Sequence, residues 1–366
     1  MCAESSTGVM SVKENVHVLV TGGAGFLGNA VATALLDKYP RWRVSTLDIH
    51  TPSEAIRNSV HQHFEVDIRS STKVGEALQG YRPDIVVHTA GIVPARRKRY
   101  STSKADRDHV FSINVEGTKH ILDATMAAGC KLFVYTSSCT AVTDDLDRDY
   151  HNIDESEPLG NARLHYGESK AEAERYVLSP ELAQKGLKTC ALRPSTIIGP
   201  GDTSVIATMA DCIKKGETPF IVGDGNNLYD FIYIDNAAWA HVLAVENLLT
   251  TQTAAGEAFF VSNQEPVYFW DFLAYVWAQL GHHPKRRFYI PSRLAWVAGA
   301  VAEFTEWMFG TDSTMSRGSV KDGTKMQYAN CRKAEAILGY KAEVGLAEGV
   351  RRACAVGETP WIRPSR

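Results

Sequence analysis

What the sequence lacks narrows it first. Its seven cysteines, Cys2, Cys130, Cys139, Cys190, Cys212, Cys331 and Cys354, form no CxxC pair and stand beside no histidine at ligand spacing. Neither a disulfide framework nor a zinc site is expected from such a distribution. There is no excess of one charge: 39 Lys and Arg stand against 42 Asp and Glu, a formal net charge of -3. Nucleic-acid binding draws most of its affinity from phosphate neutralisation, so a DNA or RNA partner is not expected. Long apolar runs are missing too. The stretch Leu294 to Ala302 is stopped by Glu303 and Glu306, well short of the ~20 residues needed to cross a bilayer. Met1 to Asn15 has no apolar run of signal-peptide length, which points to a reducing, cytoplasmic setting.

What remains is a chain of 366 residues, 44% hydrophobic and 22% charged, enough to bury a large core in one or two globular units. Short β-branched runs alternate with helical stretches: Val16 to Thr21, Phe26 to Lys38, Arg43 to Asp48, His63 to Asp67, Ile85 to His88, a long helix to about Ala128, Lys131 to Thr136, a helix over Tyr166 to Val177, and Lys188 to Arg193. This alternation predicts six or seven parallel strands in an α/β, doubly wound (Rossmann) sheet. After Pro194 the clusters Gly199-Pro200-Gly201-Asp202 and Gly223-Asp224-Gly225-Asn226-Asn227 mark loops. The expected division is a dinucleotide-binding unit over 14–197 and 229–262, and a smaller C-terminal α/β substrate lobe over 198–228 and 263–366.

The first strand runs directly into Thr21-Gly22-Gly23-Ala24-Gly25-Phe26-Leu27-Gly28, which opens a helix. Gly22 and Gly25 suit a tight turn and close backbone approach to a pyrophosphate, Gly28 suits close helix packing, and the amides around Phe26 and Leu27 face an anion. Asp48 ends the second strand twenty residues after Gly28, where a carboxylate binds ribose hydroxyls and repels a 2′-phosphate, so NAD is expected over NADP. Asp67 and Ile68, after the third strand, are placed to hold adenine; a lone turn aspartate is the plain alternative.

Tyr166-Gly167-Glu168-Ser169-Lys170 sets Tyr166 and Lys170 on one helical face, one turn apart. A phenol is a poor base at neutral pH until a neighbouring ammonium stabilises its anion, after which it can take a proton from an alcohol. Ser138, in Thr136-Ser137-Ser138-Cys139 at the end of the fifth strand, is placed to hydrogen-bond the substrate oxygen. Such a YxxxK spacing is frequent by chance, and its weight comes from standing with the glycine turn and the serine pair in this order.

With these residues in view, the chain from about Val16 to Val350 resembles the extended short-chain dehydrogenase/reductases, in their 3β-hydroxysteroid dehydrogenase branch. Further stretches carry the likeness: Asn114-Val115-Glu116-Gly117-Thr118, and Leu192-Arg193-Pro194 through Asp202. Gly223 to Asn227 with Asp230-Phe231, and Ser262 to Val267 leading to Phe269-Trp270, resemble motifs of sterol-4α-carboxylate 3-dehydrogenases (decarboxylating). The resemblance implies a catalytic triad of Ser138, Tyr166 and Lys170, with Lys170 and Pro194 beside the nicotinamide ribose and Asn114 supporting the lysine through its backbone and a water. It implies a hydrophobic polycyclic substrate, and leaves open a homodimer and peripheral contact with the endoplasmic reticulum membrane.

Two segments depart from that pattern. Ala95-Arg96-Arg97-Lys98-Arg99-Tyr100 through His109 is long and basic; a solvated loop is the expectation, and a partner for an anionic substrate group or membrane surface the alternative. Leu294 to Phe309, where relatives can carry a membrane anchor, is short and acidic here. Phe269, Trp270, Phe272, Tyr275, Trp277, Trp296, Phe304, Trp307 and Phe309 are expected mostly in the core from their helical spacing. Few cations accompany them to clamp a nucleotide sugar, apart from Lys214, Lys215, Arg286 and Arg287. Oxidation of a 3β-hydroxyl on a sterol or triterpenoid, with C4 decarboxylation where a carboxylate is present, therefore fits better than a nucleotide-sugar epimerase or dehydratase. Reduction of another bulky hydrophobic ketone in secondary metabolism stands beside the sugar reading as an alternative, and a non-catalytic cofactor sensor is the third reading.

Overall fold

The computed structural model describes residues 13–160, 162–309 and 314–355. Cys2, most of the stretch Met1 to Asn15, and residues 310–313 and 356–366 of the expected substrate lobe lie outside the described residues, as do the side chains of Arg96 and Arg97. Strands run in chain order as β1 (His17–Thr21), β2 (Arg43–Asp48), β3 (Gln62–Glu65), β4 (Ile85–His88), β5 (Leu132–Thr136), β6 (Tyr150–Ile153), β7 (Lys188–Pro194) and β8 (Thr196–Ile198). They continue as β9 (Phe220–Val222), β10 (Leu228–Tyr229), β11 (Phe231–Tyr233), β12 (Ala258–Val261), β13 (Val267–Tyr268), β14 (Phe288–Ile290) and β15 (Gln327–Ala329).

Seven of them form one sheet in the order β12-β7-β5-β4-β1-β2-β3, with every neighbouring pair parallel. The doubly wound α/β fold expected from the alternation is what the chain adopts. Runs such as Ile85-Val86-Val87-His88 are buried throughout, as strands covered on both faces must be. One face packs under helices Phe26–Lys38 and Ile234–Leu249, with Val31, Leu35, Ala237 and Val245 in its core. The other packs under Ser71–Leu78, Thr118–Ala127 and His165–Val177, with Val74, Ile121 and Ala173.

The order reverses between β1 and β4, and a crevice opens beyond the carboxyl ends of strands at such a switch point. The smaller sheets are β13-β10-β15-β6, in which only β10 and β13 run antiparallel, and the parallel pairs β11-β8 and β14-β9. Residues 150–153 thus leave the large sheet's neighbourhood and hydrogen-bond to β15.

The aromatic residues divide in a way that helical spacing did not anticipate. Phe231 stacks on Phe272 with centroids 3.7 Å apart, and Phe269, Trp270, Tyr275 and Trp277 pack around that pair. Trp296, Phe304, Trp307 and Phe309 instead stand exposed on helix Ser292–Phe309. That helix is apolar on more than one side and can bury only one. Its buried residues are Ala295 and Gly299, and a Cβ on Gly299 would fall 2.7 Å from the backbone carbon of Ser316. Close backbone approach through small residues leaves the bulky side chains facing outward.

Candidate active site

The glycine turn is built to be bare. Gly22 takes φ +73°, and a Cβ there would lie 2.7 Å from the amide nitrogen of Ala90 in the loop after β4. A Cβ on Gly28 would lie 2.1 Å from the Gly22 carbonyl oxygen, so helix Phe26–Lys38 can close on the turn only through a glycine. Gly25 is exposed and its Cβ would meet the Gly22 oxygen alone, at 3.1 Å. It caps the helix in an extended conformation without a side-chain bond. The first intrahelical bond runs from Asn29 N to Gly25 O at 3.0 Å, so the amides of Phe26, Leu27 and Gly28 are left for an outside acceptor. An exposed glycine beside orphan donors fits a dinucleotide pyrophosphate.

Asp48 is fixed against this turn. Its carboxylate accepts from Ala24 N at 3.1 Å and from His50 N at 3.0 Å. The Asp67 carboxylate is taken up by Arg69, whose guanidinium donates to it at 2.6 to 3.1 Å; that bond holds the carboxyl below its ordinary range against a smaller opposing effect of burial. Ile68 is buried under the helix after β4, against the position where Gly117 lacks a Cβ. Pro194 ends β7, and its carbonyl accepts from Cys139 N at 3.0 Å.

Ser138, Tyr166 and Lys170 converge at the end of β5, and all three are buried. Ser138 Oγ accepts from Thr140 Oγ1 at 2.8 Å, and Lys170 Nζ donates to the Thr136 carbonyl at 2.8 Å. Burial raises the Tyr166 pKa, with the hydrogen bond to Ser138 and the charge of Arg99 opposing it. Burial lowers that of Lys170 to about 8, opposed by the charge of Glu174. In this environment the phenol needs added positive charge before it can act as a base.

Asn114 occupies a single π-helical turn, Ser112–Gly117, inside an otherwise α-helical run, a distortion that often marks functional sites. Its side chain accepts from Ile92 N at 2.8 Å and donates to Ile92 O at 3.1 Å and Ser169 Oγ at 3.0 Å. Ser169 in turn donates to the Tyr166 carbonyl at 2.7 Å. The side chain of Asn114 therefore clamps the loop after β4 to the helix of Tyr166 and Lys170. The sequence suggested only a link to the lysine through its backbone and a water.

Several groups that sequence reasoning did not single out complete the site. Thr118 Oγ1 donates to the Asn114 carbonyl at 2.6 Å, so His88, lying between Thr118 and Thr21 at 2.9 and 2.6 Å, donates from Nε2 and accepts at Nδ1. Burial and the charge of Lys170 hold its pKa down to about 3. Glu174, one turn beyond Lys170, accepts from Ser137 Oγ at 2.5 Å and pairs with Arg193; the i,i+4 spacing from Lys170 was a signal available in the sequence. Arg99 and Asp144 form a buried ion pair through both carboxylate oxygens, and no local pattern announces a pair so far apart in sequence. The expectation of a wholly solvated basic loop is corrected here: Lys98 is exposed, while Arg99 turns inward because the 3-10 turn Arg96–Tyr100 packs over helix His165–Val177.

Residues 19–292 match the model of the 3-beta hydroxysteroid dehydrogenase/isomerase family. The chain belongs to that family. It is an oxidoreductase of the extended short-chain dehydrogenase/reductases, acting on CH–OH, and a nicotinamide dinucleotide is the family's cofactor. The sterol-4-alpha-carboxylate 3-dehydrogenase, decarboxylating, of Schizosaccharomyces pombe is 35% identical over 342 residues, covering 92% of this chain and 96% of that one. The mouse protein of the same description is 30% identical, covering 91% and 88%. A 3beta-hydroxysteroid-dehydrogenase/decarboxylase of Arabidopsis thaliana is 31% identical, covering 94% and 80%. Among solved structures, a Thermus thermophilus UDP-glucose 4-epimerase in complex with NAD superposes with a TM-score of 0.70 at 24% identity, over 93% of this chain and 98% of that one. At that identity the likeness concerns the fold.

Proposed function

We propose that this family member oxidises the 3β-hydroxyl of a sterol or triterpenoid with NAD, and releases a C4 carboxylate as carbon dioxide where the substrate carries one. The observation that carries this reading is the convergence of buried Ser138, Tyr166 and Lys170 at the end of β5, with Lys170 Nζ against the loop after β4 that also packs on the glycine turn. The relatives named above, whose descriptions specify sterol-4α-carboxylates, support the substrate class. In this reading Gly22, Gly25, Phe26, Leu27 and Gly28 cradle the pyrophosphate and Asp48 takes the adenosine ribose. Asp67 and Ile68 flank the adenine, while Lys170 and Pro194 border the nicotinamide ribose. The dinucleotide unit is 14–197 with 229–262, and the remainder shapes the substrate side.

The bound cofactor supplies a hydride acceptor. Tyr166 takes the hydroxyl proton, Ser138 holds the oxygen, Lys170 stabilises the phenolate, and Asn114 keeps the helix of both residues against the loop after β4. A carboxylate on the neighbouring carbon then stands β to a ketone. Its C–C bond breaks, the electron pair moves to the carbonyl oxygen as an enolate, carbon dioxide leaves, and a proton returns to the carbon. No further residue is required, because the ketone itself accepts the electrons.

The test offers a 3β-hydroxy-4-carboxysterol with NAD and follows NADH and product mass. A 3-ketone one carbon shorter is expected, and a sterol without the carboxylate should give the ketone with its carbon count unchanged. Silence on every 3-hydroxysterol, with turnover of a UDP-sugar, would defeat the reading in favour of an epimerase or dehydratase.

Peripheral contact with a membrane surface is supported by a separate feature. Leu294, Val297, Val301, Phe304, Trp307 and Phe309 are exposed on one helix, Arg293 is exposed in its first turn, and Lys285, Arg286 and Arg287 are exposed on the chain leading into it. Aromatic residues beside cations suit an anionic lipid interface. Among the described residues no helix is long and apolar enough to cross a membrane. Flotation with anionic vesicles should carry the protein upward, and Phe304→Ser/Trp307→Ser should release it; a concentration-dependent dimer without flotation would assign the face to a second copy.

A further inference from the structure

We propose that Arg99 determines substrate specificity, its guanidinium receiving the carboxylate that a substrate carries on the carbon next to its reacting hydroxyl. This inference rests on the reading above and adds the group that selects for the carboxylate. Arg99 and Lys325 are buried cations on either side of Asp144: Arg99 pairs with its carboxylate, and Lys325 Nζ donates to the carbonyl of the preceding residue, Thr143, at 2.6 Å. Lys325 is 3% exposed in its side chain. Arg99 keeps 15% of its side chain exposed, whereas Asp144 behind it keeps none. The side of the pair that reaches open space is therefore the Arg99 side chain, not the carboxylate.

Arg99 lies close enough to the reacting group for its charge to act on the Tyr166 phenol. Asp144 accepts from the backbone amide of Gly167, the residue after Tyr166, at 3.1 Å, and a Cβ on Gly167 would fall 2.5 Å from the same carboxylate oxygen. Arg99 is thereby tied to the first turn of the helix that presents the phenol. The adjoining Tyr100 donates to Asp322 at 2.9 Å, and Gly318 packs on its ring with no room for a Cβ. The turn carrying Arg99 is held from both sides.

Binding a carboxylated substrate calls for such a group. A carboxylate one carbon from the hydroxyl enters the crevice wherever Tyr166 reaches that hydroxyl, and an unpaired carboxylate out of water is strongly disfavoured. Lys170 is engaged by the Thr136 carbonyl. The guanidinium has five N–H donors, of which Asp144 takes two, and the fork left over matches a carboxylate. Asp144 also offsets the Arg99 charge. The substrate carboxylate is then held by directed hydrogen bonds, with less net charge opposing its departure as carbon dioxide.

The test measures kcat and KM with NAD on a 4α-carboxy-3β-hydroxysterol and on its counterpart lacking the carboxylate, for the wild type, Arg99→Gln and Arg99→Lys. Arg99→Gln should lower the preference for the carboxylated substrate, as the ratio of kcat/KM values, by about 10-fold to 100-fold, mainly through KM, and Lys should recover part of it. Arg99→Gln leaves Asp144 buried without its partner. Arg99→Gln/Asp144→Asn removes both charges and so leaves none unpaired, and the same fall in the ratio is expected from it. Equal losses on both substrates, leaving the ratio at its wild-type value in both variants, would overturn the proposal and make Arg99 a clamp for Asp144. Wild-type protein silent on both sterols would instead overturn the functional reading beneath it.

Discussion

Glu174→Gln probes what holds the helix of Tyr166 and Lys170. Glu174 has no exposed side-chain surface and Arg193 retains 5%. The carboxylate accepts from Arg193 Nε at 3.1 Å on each oxygen and from Arg193 Nη2 at 2.5 Å. Arg193 Nη1 has no hydrogen-bond partner, and Glu155, whose charge also feels Arg193, is engaged by the Phe260 amide instead. Removing one member of a buried pair costs about 3 to 5 kcal/mol, most of it the unpaired charge left behind. Gln keeps the volume and one oxygen, which places the expected loss near ~3 kcal/mol. A second effect reaches the chemistry. The charge of Glu174 opposes the burial that lowers the Lys170 pKa to about 8, so its loss should shift Lys170 ionisation, and the alkaline limb of kcat/KM, to lower pH. Urea denaturation read by both fluorescence and circular dichroism measures the first effect, and a pH–rate profile the second. Glu174→Gln/Arg193→Met, which leaves no charge unpaired, should recover much of the stability but not the profile. A stability loss under ~1 kcal/mol, within the range of an exposed pair, would refute the argument, as would an unmoved alkaline limb.

Tyr166→Phe should reduce turnover at least ~100-fold, the usual contribution of general acid–base catalysis, while NAD titration stays near wild type; a smaller loss would remove Tyr166 from that role. Asp48→Ala should narrow the preference for NAD over NADP by about 10-fold or more, the weight of a charge-assisted hydrogen bond, and tighter NADP binding by the wild type would reverse the assignment. His88 and His241 are buried with pKa values lowered to about 3 and about 4. Below the unfolded value of about 6.5 the unfolded chain takes up protons that the folded one refuses, so stability present at neutral pH is lost on acidification, by up to ~1.4 kcal/mol per pH unit for each histidine. Urea midpoints between pH 7 and 5 should fall less steeply in His241→Gln than in the wild type; parallel slopes would contradict the burial argument.

The sequence alone determined what is local and periodic. Alternating β-branched and helical runs specify a parallel sheet, because strands buried on both faces and helices buried on one leave different patterns. The glycine turn was legible for a similar reason: a backbone that must come within van der Waals distance of itself at Gly22 and Gly28 admits no side chain. Tyr166 and Lys170 were legible because one helical turn puts them on the same face. Tertiary structure alone decided the rest. Asp144 reaches both Arg99 and Gly167 across long separations, and Arg193 on β7 meets Glu174 on the helix of Tyr166; ion pairs of this kind leave no periodic trace in the chain. Which aromatic residues are core also had to wait for packing, since Phe272 and Trp307 occupy helices of similar apolar character. Phe272 is covered by Phe231, whereas Gly299 and Ala295 claim the inward side of Trp307's helix. Sequence periodicity shows that a helix has apolar faces, and only the neighbouring elements determine which of them is covered.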